Sequence, residues 1–254
     1  MRTRSRVAVL AAAFCFAFIA AGPAAEAADV SVLCSNGLKE VLIELAPQFE
    51  RSTGNRITIK YDSTATILNE IKSGARPDLV ILTAEAIEEL IKQGKVAAGS
   101  RIDLALSGMG IAMRSGARKP DIRTVEAFKK SLLAAKSLAL TKNGVSGIYF
   151  LDVFKQLGIE NQMKPKTIFV ETGPAGVPVA KGEAELAVQQ ISEILPVAGI
   201  ELVGPLPPGL QKMTTFSSGV WAAAKEAEAA KALVRFLSSA SGKTVIKKKG
   251  LEPQ

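Results

Sequence analysis

Histidine is absent from the 254-residue sequence, and cysteine occurs only twice, as Cys15 and Cys34. Without histidine the chain cannot build a Ser-His-Asp or Cys-His catalytic site, and it lacks the commonest general base near neutral pH. Histidine-containing zinc sites are excluded too, and so few cysteines leave no thiolate metal site. We therefore predict no metal site, no cofactor and no enzymatic activity. Any enzyme built from this chain would have to act through carboxylates, lysines or hydroxyls.

Aromatic residues are also scarce, at 5% of the chain. The formal net charge is +8, but the basic residues are scattered, and the one basic run, at residues 247–249, contains no aromatic residue. Surfaces that bind single-stranded nucleic acid combine a cationic groove with stacking aromatic side chains. We therefore predict no nucleic-acid partner, whereas the positive balance favours encounter with small anions.

The longest apolar run, Val7–Ala21, is shorter than the ~20 residues that a membrane-spanning helix needs. Three arginines precede this run, and the small-x-small sequence AEA follows it at residues 25–27. This arrangement predicts a cleavable signal peptide over residues 1–27 and a periplasmic protein, in preference to a membrane anchor. Only Cys34 then remains, so no intramolecular disulfide can form, and its strand-like surroundings predict a small buried residue.

From residue 30 onward, short apolar runs alternate with amphipathic segments. Strands are predicted at Val30–Leu33, Ile57–Tyr61 and Asp78–Leu82, and a segment with helical spacing follows each of them. Such an order predicts a parallel sheet with right-handed crossovers. An extended stretch at residues 102–113 then leads into a second unit, which repeats the scheme from about residue 124.

These patterns predict the α/β fold class, with two doubly wound α/β domains joined by a two-crossing hinge. The first domain is expected to contain residues 28–110 and 202–254, and the second residues 111–201. A cleft between two such domains is a common place for a small ligand.

Four turns rich in small polar residues follow the predicted strands. They are Ser35-Asn36-Gly37, Ser63-Thr64-Ala65, Gly144-Val145-Ser146-Gly147 and Thr172-Gly173-Pro174. Each lies at the carboxyl end of a strand, where open α/β sheets bind ligands, and presents hydroxyl and free N–H groups at a helix N-terminus. Helix capping alone explains any single turn. Their number, two on each domain, predicts an anion site held by neutral donors and helix dipoles.

Five segments carry a resemblance to a known family: VSVLCSNGL, YDSTATILNEIKSGARPDLVILTAE, GVSGIYFLDVFKQLG, KGEAELAVQQISEI and ALVRFLSSASGKTVIKKKG. Over essentially the whole mature chain, the sequence resembles the periplasmic molybdate-binding proteins, a branch of the type II solute-binding proteins of ABC importers. The resemblance implies the type II periplasmic-binding-protein fold, a monomer, and the membrane permease of an ABC importer as partner.

A small anionic ligand is expected in the cleft, on residues that lie in or beside the four turns. The predicted ligand-binding residues are Ser35, Asn36, Gly37, Ser63, Thr64, Ser146, Thr172 and Gln190, of which Ser63 is a neighbour that would also cap its helix. Relatives that bind molybdate commonly carry serine at the position of Gly37 and tyrosine at that of Gln190. Glutamine supplies both a donor and an acceptor, which suits a protonated or hydroxylated ligand. A molybdate- or tungstate-like oxyanion and a small organic carboxylate both remain open.

Two other functions also remain open. An exported carboxylate-dependent hydrolase would need a pair of carboxylates in the cleft. A ligand-sensing module for a membrane receptor would share the fold, and the sequence does not separate it from a transport protein.

Overall fold

Two β-sheets form the centre of the molecule, and the chain passes between them twice. The structure, a computed structural model, describes residues 27–171 and 173–254. The predicted signal peptide, apart from its last residue, and Thr172 lie outside these residues. Within the described ranges, no helix is long and apolar enough to cross a membrane.

The first part of the chain alternates strands and helices, as the sequence predicts. The elements are β1 (Asp29–Ser35), a 3-10 helix (Asn36–Leu38), α1 (Lys39–Thr53), β2 (Arg56–Asp62), α2 (Thr64–Lys72), β3 (Leu79–Thr83), α3 (Ala84–Lys92) and β4 (Ile102–Ser107). β1 pairs in parallel with both β2 and β3.

The second part of the chain builds the other sheet and then returns to the first. Its elements are β5 (Met109–Arg114), α4 (Val125–Ala134), β6 (Leu138–Thr141), α5 (Val145–Leu157), α6 (Glu160–Met163), a 3-10 helix (Lys164–Lys166), β7 (Thr167–Val170), α7 (Gly176–Lys181), β8 (Leu186–Gln190), α8 (Ile191–Ile194) and β9 (Ile200–Pro205). The returning elements are β10 (Thr214–Val220), α9 (Ala227–Leu237), α10 (Ala240–Lys248) and β11 (Glu252–Pro253).

Both sheets are mixed, whereas the sequence predicted parallel sheets. The strand orders are β11-β4-β10-β3-β1-β2 and β7-β6-β8-β5-β9. β10 runs antiparallel to β3 and β4, and β5 runs antiparallel to β8 and β9. The direction of β5 follows from the point at which the chain enters the second sheet. β5 begins opposite Gln190, the last residue of β8. A strand that starts at the hinge therefore runs away from the edge at which the parallel strands β6, β7 and β8 end.

The predicted domain boundaries at residues 110/111 and 201/202 cut through β5 and β9. These two strands are hydrogen-bonded neighbours in the second sheet, so they belong together. The pairing of β9 with β5 is a long-range contact that the local sequence pattern does not show. We propose instead that the two crossings lie at Gly108 and at residues 206–213, between strands of different sheets.

Gln211 holds these two crossings together. Its side-chain Oε1 accepts a hydrogen bond from the backbone N–H of Met109 at 2.9 Å, and its Nε2 donates to the Met109 carbonyl at 2.9 Å. One amide side chain in the second crossing therefore satisfies both backbone groups of a residue just past the first crossing.

Each sheet packs a core of its own. In the first domain Phe49 meets Phe236 edge-to-face, with 5.6 Å between the ring centroids. In the second, Phe150 makes edge-to-face contacts with Phe128 at 6.1 Å and with Phe154 at 5.2 Å. Such aromatic pairs add about 0.5–1.5 kcal/mol beyond the burial of their area.

The central strands are buried on both faces. All five residues of β3 are buried, which matches the unbroken apolar run in its sequence. Cys34 in β1 is completely buried, as predicted, and burial raises the pKa of its thiol. A thiol in such surroundings is an inert packing group rather than a nucleophile.

Candidate functional site

A cavity of about 290 Å³ lies between the two domains, where the carboxyl ends of β1, β2, β6 and β8 approach one another. Its wall on the first domain comes from the ends of β1 and β2, from the residues that open α1 and α2, and from β10. The opposite wall comes from the turns after β6, β7 and β8. The site therefore forms at the edge where α/β sheets bind ligands.

Small polar residues at the ends of β1 and β2 form much of the first wall. Ser35 and Asn36 line the cavity at the point where β1 becomes a 3-10 helix. Ser63 also lines it, and its Oγ accepts a hydrogen bond from the backbone N–H of Thr66 at 3.1 Å, so it caps α2 as expected. The neighbouring Thr64 is buried, and its Oγ1 has no hydrogen-bond partner among the residues described.

The turn between β6 and α5 closes tightly over Thr141, the last residue of β6. A Cβ at Gly144 would overlap the Thr141 side chain, and one at Gly147 would overlap the Thr141 carbonyl. These two glycines therefore let the start of α5 approach the strand. Thr141 lines the cavity, and its buried Oγ1 has no partner in the described part of the chain. Gly144 has no side chain to cap α5, so within the part of the chain that the structure describes the first N–H groups of this helix have no side-chain acceptor.

Gln190 lies at the floor of the cavity and is 1% exposed. Its Nε2 donates to Thr214 Oγ1 at 3.0 Å, a bond that joins the end of β8 to the start of β10. Its Oε1 has no partner among residues 27–171 and 173–254. Because the Thr214 hydroxyl can donate or accept, either end of the Gln190 amide can face a ligand.

Three buried polar atoms of this cavity thus lack a hydrogen bond within the described chain: Thr64 Oγ1, Thr141 Oγ1 and Gln190 Oε1. A buried donor or acceptor without a partner costs about 1–3 kcal/mol, and native proteins hold few of them. Two of the three lie on the second domain and one on the first, so a single ligand would have to bridge the domains to satisfy all three.

Charged side chains complete the site. Lys39, the first residue of α1, lines the cavity, and its Nζ lies 6.0 Å from the ring centroid of Tyr61. Three carboxyl groups also line the cavity, from Asp62, Glu171 and Glu193, and Glu171 pairs with Lys142 on the exposed rim at 2.7 Å. A ligand here therefore meets a cation and acceptors as well as the neutral donors that the sequence predicted.

Glu193 combines a hydrogen bond from a buried amide with a raised pKa. Its Oε2 accepts a hydrogen bond from Gln189 Nε2 at 2.7 Å. Burial raises the pKa of Glu193 to about 7, because the bond from Gln189 and the charge of Lys39, which both act to lower it, do not offset the loss of solvent. This carboxyl can therefore gain or lose a proton near neutral pH.

The eight predicted site residues have different positions in the structure. Ser35, Asn36, Ser63, Thr64 and Gln190 line the cavity. Gly37 and Ser146 are buried and do not line it. Thr172 lies outside the described residues. A role in ligand binding remains a prediction for all eight.

Gly37 has a packing role, because the structure leaves no room for a side chain at this position. A Cβ at this position would overlap the ring of Phe216, which is buried against the cavity. The Gly37 carbonyl accepts a hydrogen bond from Ser192 Oγ at 2.9 Å, which links the first domain to α8 of the second. The aromatic ring thus fills space that a side chain at residue 37 would need.

Sequence reasoning missed several residues of the cavity. Lys39 lies only two positions beyond the first turn, and Thr141 ends a strand before a glycine-rich turn, so both carried a usable signal. Glu193 carried none, because α8 has only four residues and shows no periodicity that would place its faces.

The chain passes twice between two α/β domains, and a polar cleft lies at the carboxyl ends of their strands. These two features define a type II solute-binding protein. The chain belongs to the family described as bacterial extracellular solute-binding protein, whose sequence profile matches residues 30–252. The predicted fold class and the predicted relationship to the molybdate-binding branch are both confirmed.

Named relatives and solved structures cover most of the chain. A protein named aconitate isomerase from Pseudomonas sp. is 35% identical over 230 residues, which are 88% of this chain and 87% of that protein. The molybdate-binding protein ModA of Azotobacter vinelandii is 28% identical over 234 residues, 89% of this chain and 91% of that protein. The solved periplasmic molybdate-binding protein of A. vinelandii superposes with a TM-score of 0.74 at 20% identity, covering 87% of this chain and 98% of that one.

Proposed function

We propose that this solute-binding protein captures a small organic polycarboxylate in its interdomain cleft. The observation that carries the proposal is the mixture of groups on the cavity wall, in which Lys39 and neutral donors stand beside acceptors at Gln190 and Glu193. A bare tetrahedral dianion only accepts hydrogen bonds, so it would need Gln190 to present its amino end and Glu193 to be protonated. A polycarboxylate that keeps one proton or bears a hydroxyl can accept from the donors and donate to the acceptors.

The size of the site and one relative support the same ligand class. The cavity volume of about 290 Å³ is close to the lower bound of pockets that enclose organic ligands, roughly 300 Å³. The 35% identical relative is named for aconitate, which is an unsaturated tricarboxylate. The molybdate-like oxyanion is the competing ligand, and Gly37 and Gln190 stand where its binding proteins commonly carry a serine and a tyrosine hydroxyl.

In this proposal the protein works in the periplasm as a monomer and passes its ligand to the permease of an ABC importer. Family membership supports the extracytoplasmic location and the transport role. Cleavage of residues 1–27 is part of the same proposal.

A second candidate function is isomerisation of the bound ligand. The chain was predicted not to be an enzyme, and its similarity to a protein named as an isomerase leaves that prediction unsettled. The observation that favours this candidate is Glu193, a carboxyl in the cleft whose pKa is raised to about 7. A group that titrates near the working pH is suited to proton transfer.

A thermal-shift series on the purified protein tests the binding proposal. The panel contains cis-aconitate, trans-aconitate, citrate, molybdate, tungstate and sulfate. A ligand at 100 times its Kd stabilises the native state by about 2.7 kcal/mol, which raises the Tm by roughly 5–10 °C for a protein of this size. We expect that shift with tricarboxylates, and a shift with molybdate and tungstate alone would refute the proposal.

Matched lysine variants show whether binding occurs in this cleft. Lys39→Met removes the cation that lines the cavity and should abolish most of the shift. Lys92→Met removes an exposed lysine in the last turn of α3 and should leave it unchanged. Equal shifts in the two variants would place the ligand elsewhere.

A further inference from the structure

Glu193 faces the ligand cavity with one carboxylate oxygen held and the other available. It lines the main cavity and also an adjoining one of about 90 Å³. Oε2 accepts the hydrogen bond from Gln189. Oε1 accepts no hydrogen bond from the residues that the structure describes, so it is the oxygen that a bound molecule can reach.

The orientation of the supporting amide is fixed by the backbone. Gln189 is 1% exposed, and its Oε1 accepts a hydrogen bond from the Ala175 N–H at 2.8 Å. A backbone N–H can only donate, so the carbonyl end of the amide must face Ala175. The amino end therefore must face Glu193, so the orientation of the hydrogen-bond donor to this carboxyl is fixed.

The charges around Glu193 come from several elements. Lys39 of α1 lines both cavities with it, Asp62 at the end of β2 and Glu171 after β7 share the main cavity, and Glu40 of α1 shares the smaller one. Burial outweighs the single cation and raises the pKa of Glu193 to about 7. The protonated and ionised forms are thus both populated near neutral pH, as a residue that both accepts and returns a proton requires.

We infer that Glu193 is a catalytic acid–base residue that moves a proton between two carbon atoms of the bound ligand. This inference rests on the proposed function, because it requires a polycarboxylate in the cleft. The substrate class is an unsaturated polycarboxylate in which a methylene group lies between a carboxylate and a carbon–carbon double bond.

The step balances without a co-reactant. Glu193 Oε1 takes a proton from the methylene carbon, and the electron pair of that C–H bond forms a new double bond to the neighbouring carbon. The electrons of the former double bond take the proton back from Glu193 at the far carbon, where a new C–H bond forms. One carboxyl serves both ends because the carbons are separated by a single atom. The double bond is thereby moved, and its geometry can change from cis to trans.

Other groups of the cavity can stabilise the negative charge that develops on the ligand during this proton transfer. Negative charge that leaves the methylene carbon spreads onto the adjoining carboxylate. Lys39 and the N-terminus of α5, which follows the side-chain-free Gly144, both face the cavity and favour such charge.

Proton NMR with cis- and trans-aconitate tests this inference. The wild-type protein should interconvert the two isomers in water. In D2O it should also place deuterium in the methylene group whenever the Glu193 carboxyl exchanges its proton with solvent before it returns it. Glu193→Gln removes the base and should slow both processes by at least ~10²-fold while changing the Kd only a few-fold. Glu193→Asp keeps the carboxyl and should retain part of the rate. The wild-type kcat/KM should rise with pH to a plateau, half-maximal near 7, because the ionised carboxyl is the base.

Glu183→Gln, at an exposed position outside the cleft, is the matched control and should keep the full rate. Wild-type turnover in Glu193→Gln would overturn the inference. Binding of aconitate without interconversion or exchange would also overturn it but leave the proposed function intact. Failure of every tricarboxylate to bind would overturn both.

Discussion

At the scale of single residues, a substitution at Thr64 tests whether the unpaired polar atoms of the cavity bind the ligand. Its hydroxyl lies in the cavity wall with no partner in the described chain. Thr64→Val keeps the shape but removes the hydroxyl, and a hydrogen bond to a charged group contributes about 1.5–3 kcal/mol. We expect the ligand Kd to rise roughly 10–100-fold by calorimetry, while the Tm of the free protein does not fall, because the variant no longer buries an unpaired hydroxyl. Thr58→Val, at an exposed position of β2, is the control, and equal Kd values in both variants would contradict this role.

Glu193 should also make the stability of the folded protein depend on pH. Its pKa is about 7 in the folded protein against an ordinary value of 4.5, so the folded state binds the proton more tightly. Its contribution to stability is complete below pH ~4.5 and is lost as the pH rises through ~7. The Tm of the ligand-free wild type, measured relative to Glu193→Gln, should therefore fall between pH 5 and pH 8. A difference in Tm that rises or stays constant over this range would contradict the assignment.

Several residues proposed from the turns do lie on the cavity wall, and their positions directly after strands could be read from the sequence. Ser35, Asn36, Ser63 and Thr64 follow strands directly, and the structure places them on the cavity wall. Gly37 could not be interpreted in the same way, because its role depends on Phe216, which lies far along the chain. Long-range packing of this kind leaves no local pattern in the sequence.

At the scale of secondary-structure elements, local periodicity was sufficient for most strands and helices but not for direction or pairing. β1, β2 and β3 follow from their apolar patterns. The antiparallel β5 and β10 do not, because a strand carries the same pattern in either direction. The short α6 and α8, with four residues each, are below the length at which helical spacing can be detected.

The hinge offers an element-scale prediction. Gln211→Ala removes two hydrogen bonds to the backbone of Met109, each contributing about 1 kcal/mol. The Tm should fall by roughly 4–8 °C. Gln93→Ala is the control, because that exposed amide, just after α3, bonds among the described residues only to the Glu89 side chain one turn earlier. Scanning calorimetry compares the two, and an equal small change in both would show that the clamp contributes little.

At the scale of the whole molecule, ligand-linked closure is expected. The unpaired hydroxyl of Thr64 lies on one wall of the cavity, and the unpaired hydroxyl of Thr141 and amide oxygen of Gln190 lie on the opposite wall. One ligand therefore satisfies all three best when the walls approach. Small-angle X-ray scattering should show a smaller radius of gyration with saturating ligand than without it. Lys39→Met at the same ligand concentration should show no contraction. An unchanged radius in the saturated wild type would indicate a cleft that is already closed.

The buried Cys34 has a practical consequence. Its sulfur is inaccessible, and the only other cysteine, Cys15, lies in the predicted signal peptide. A thiol-reactive dye should therefore not react with the native protein and should label only a cysteine introduced by mutation. Placed on the exposed rim at Asn143, such a dye would report the occupancy of the cleft through its fluorescence. The molecule is thus suited to conversion into an optical sensor for its own ligand.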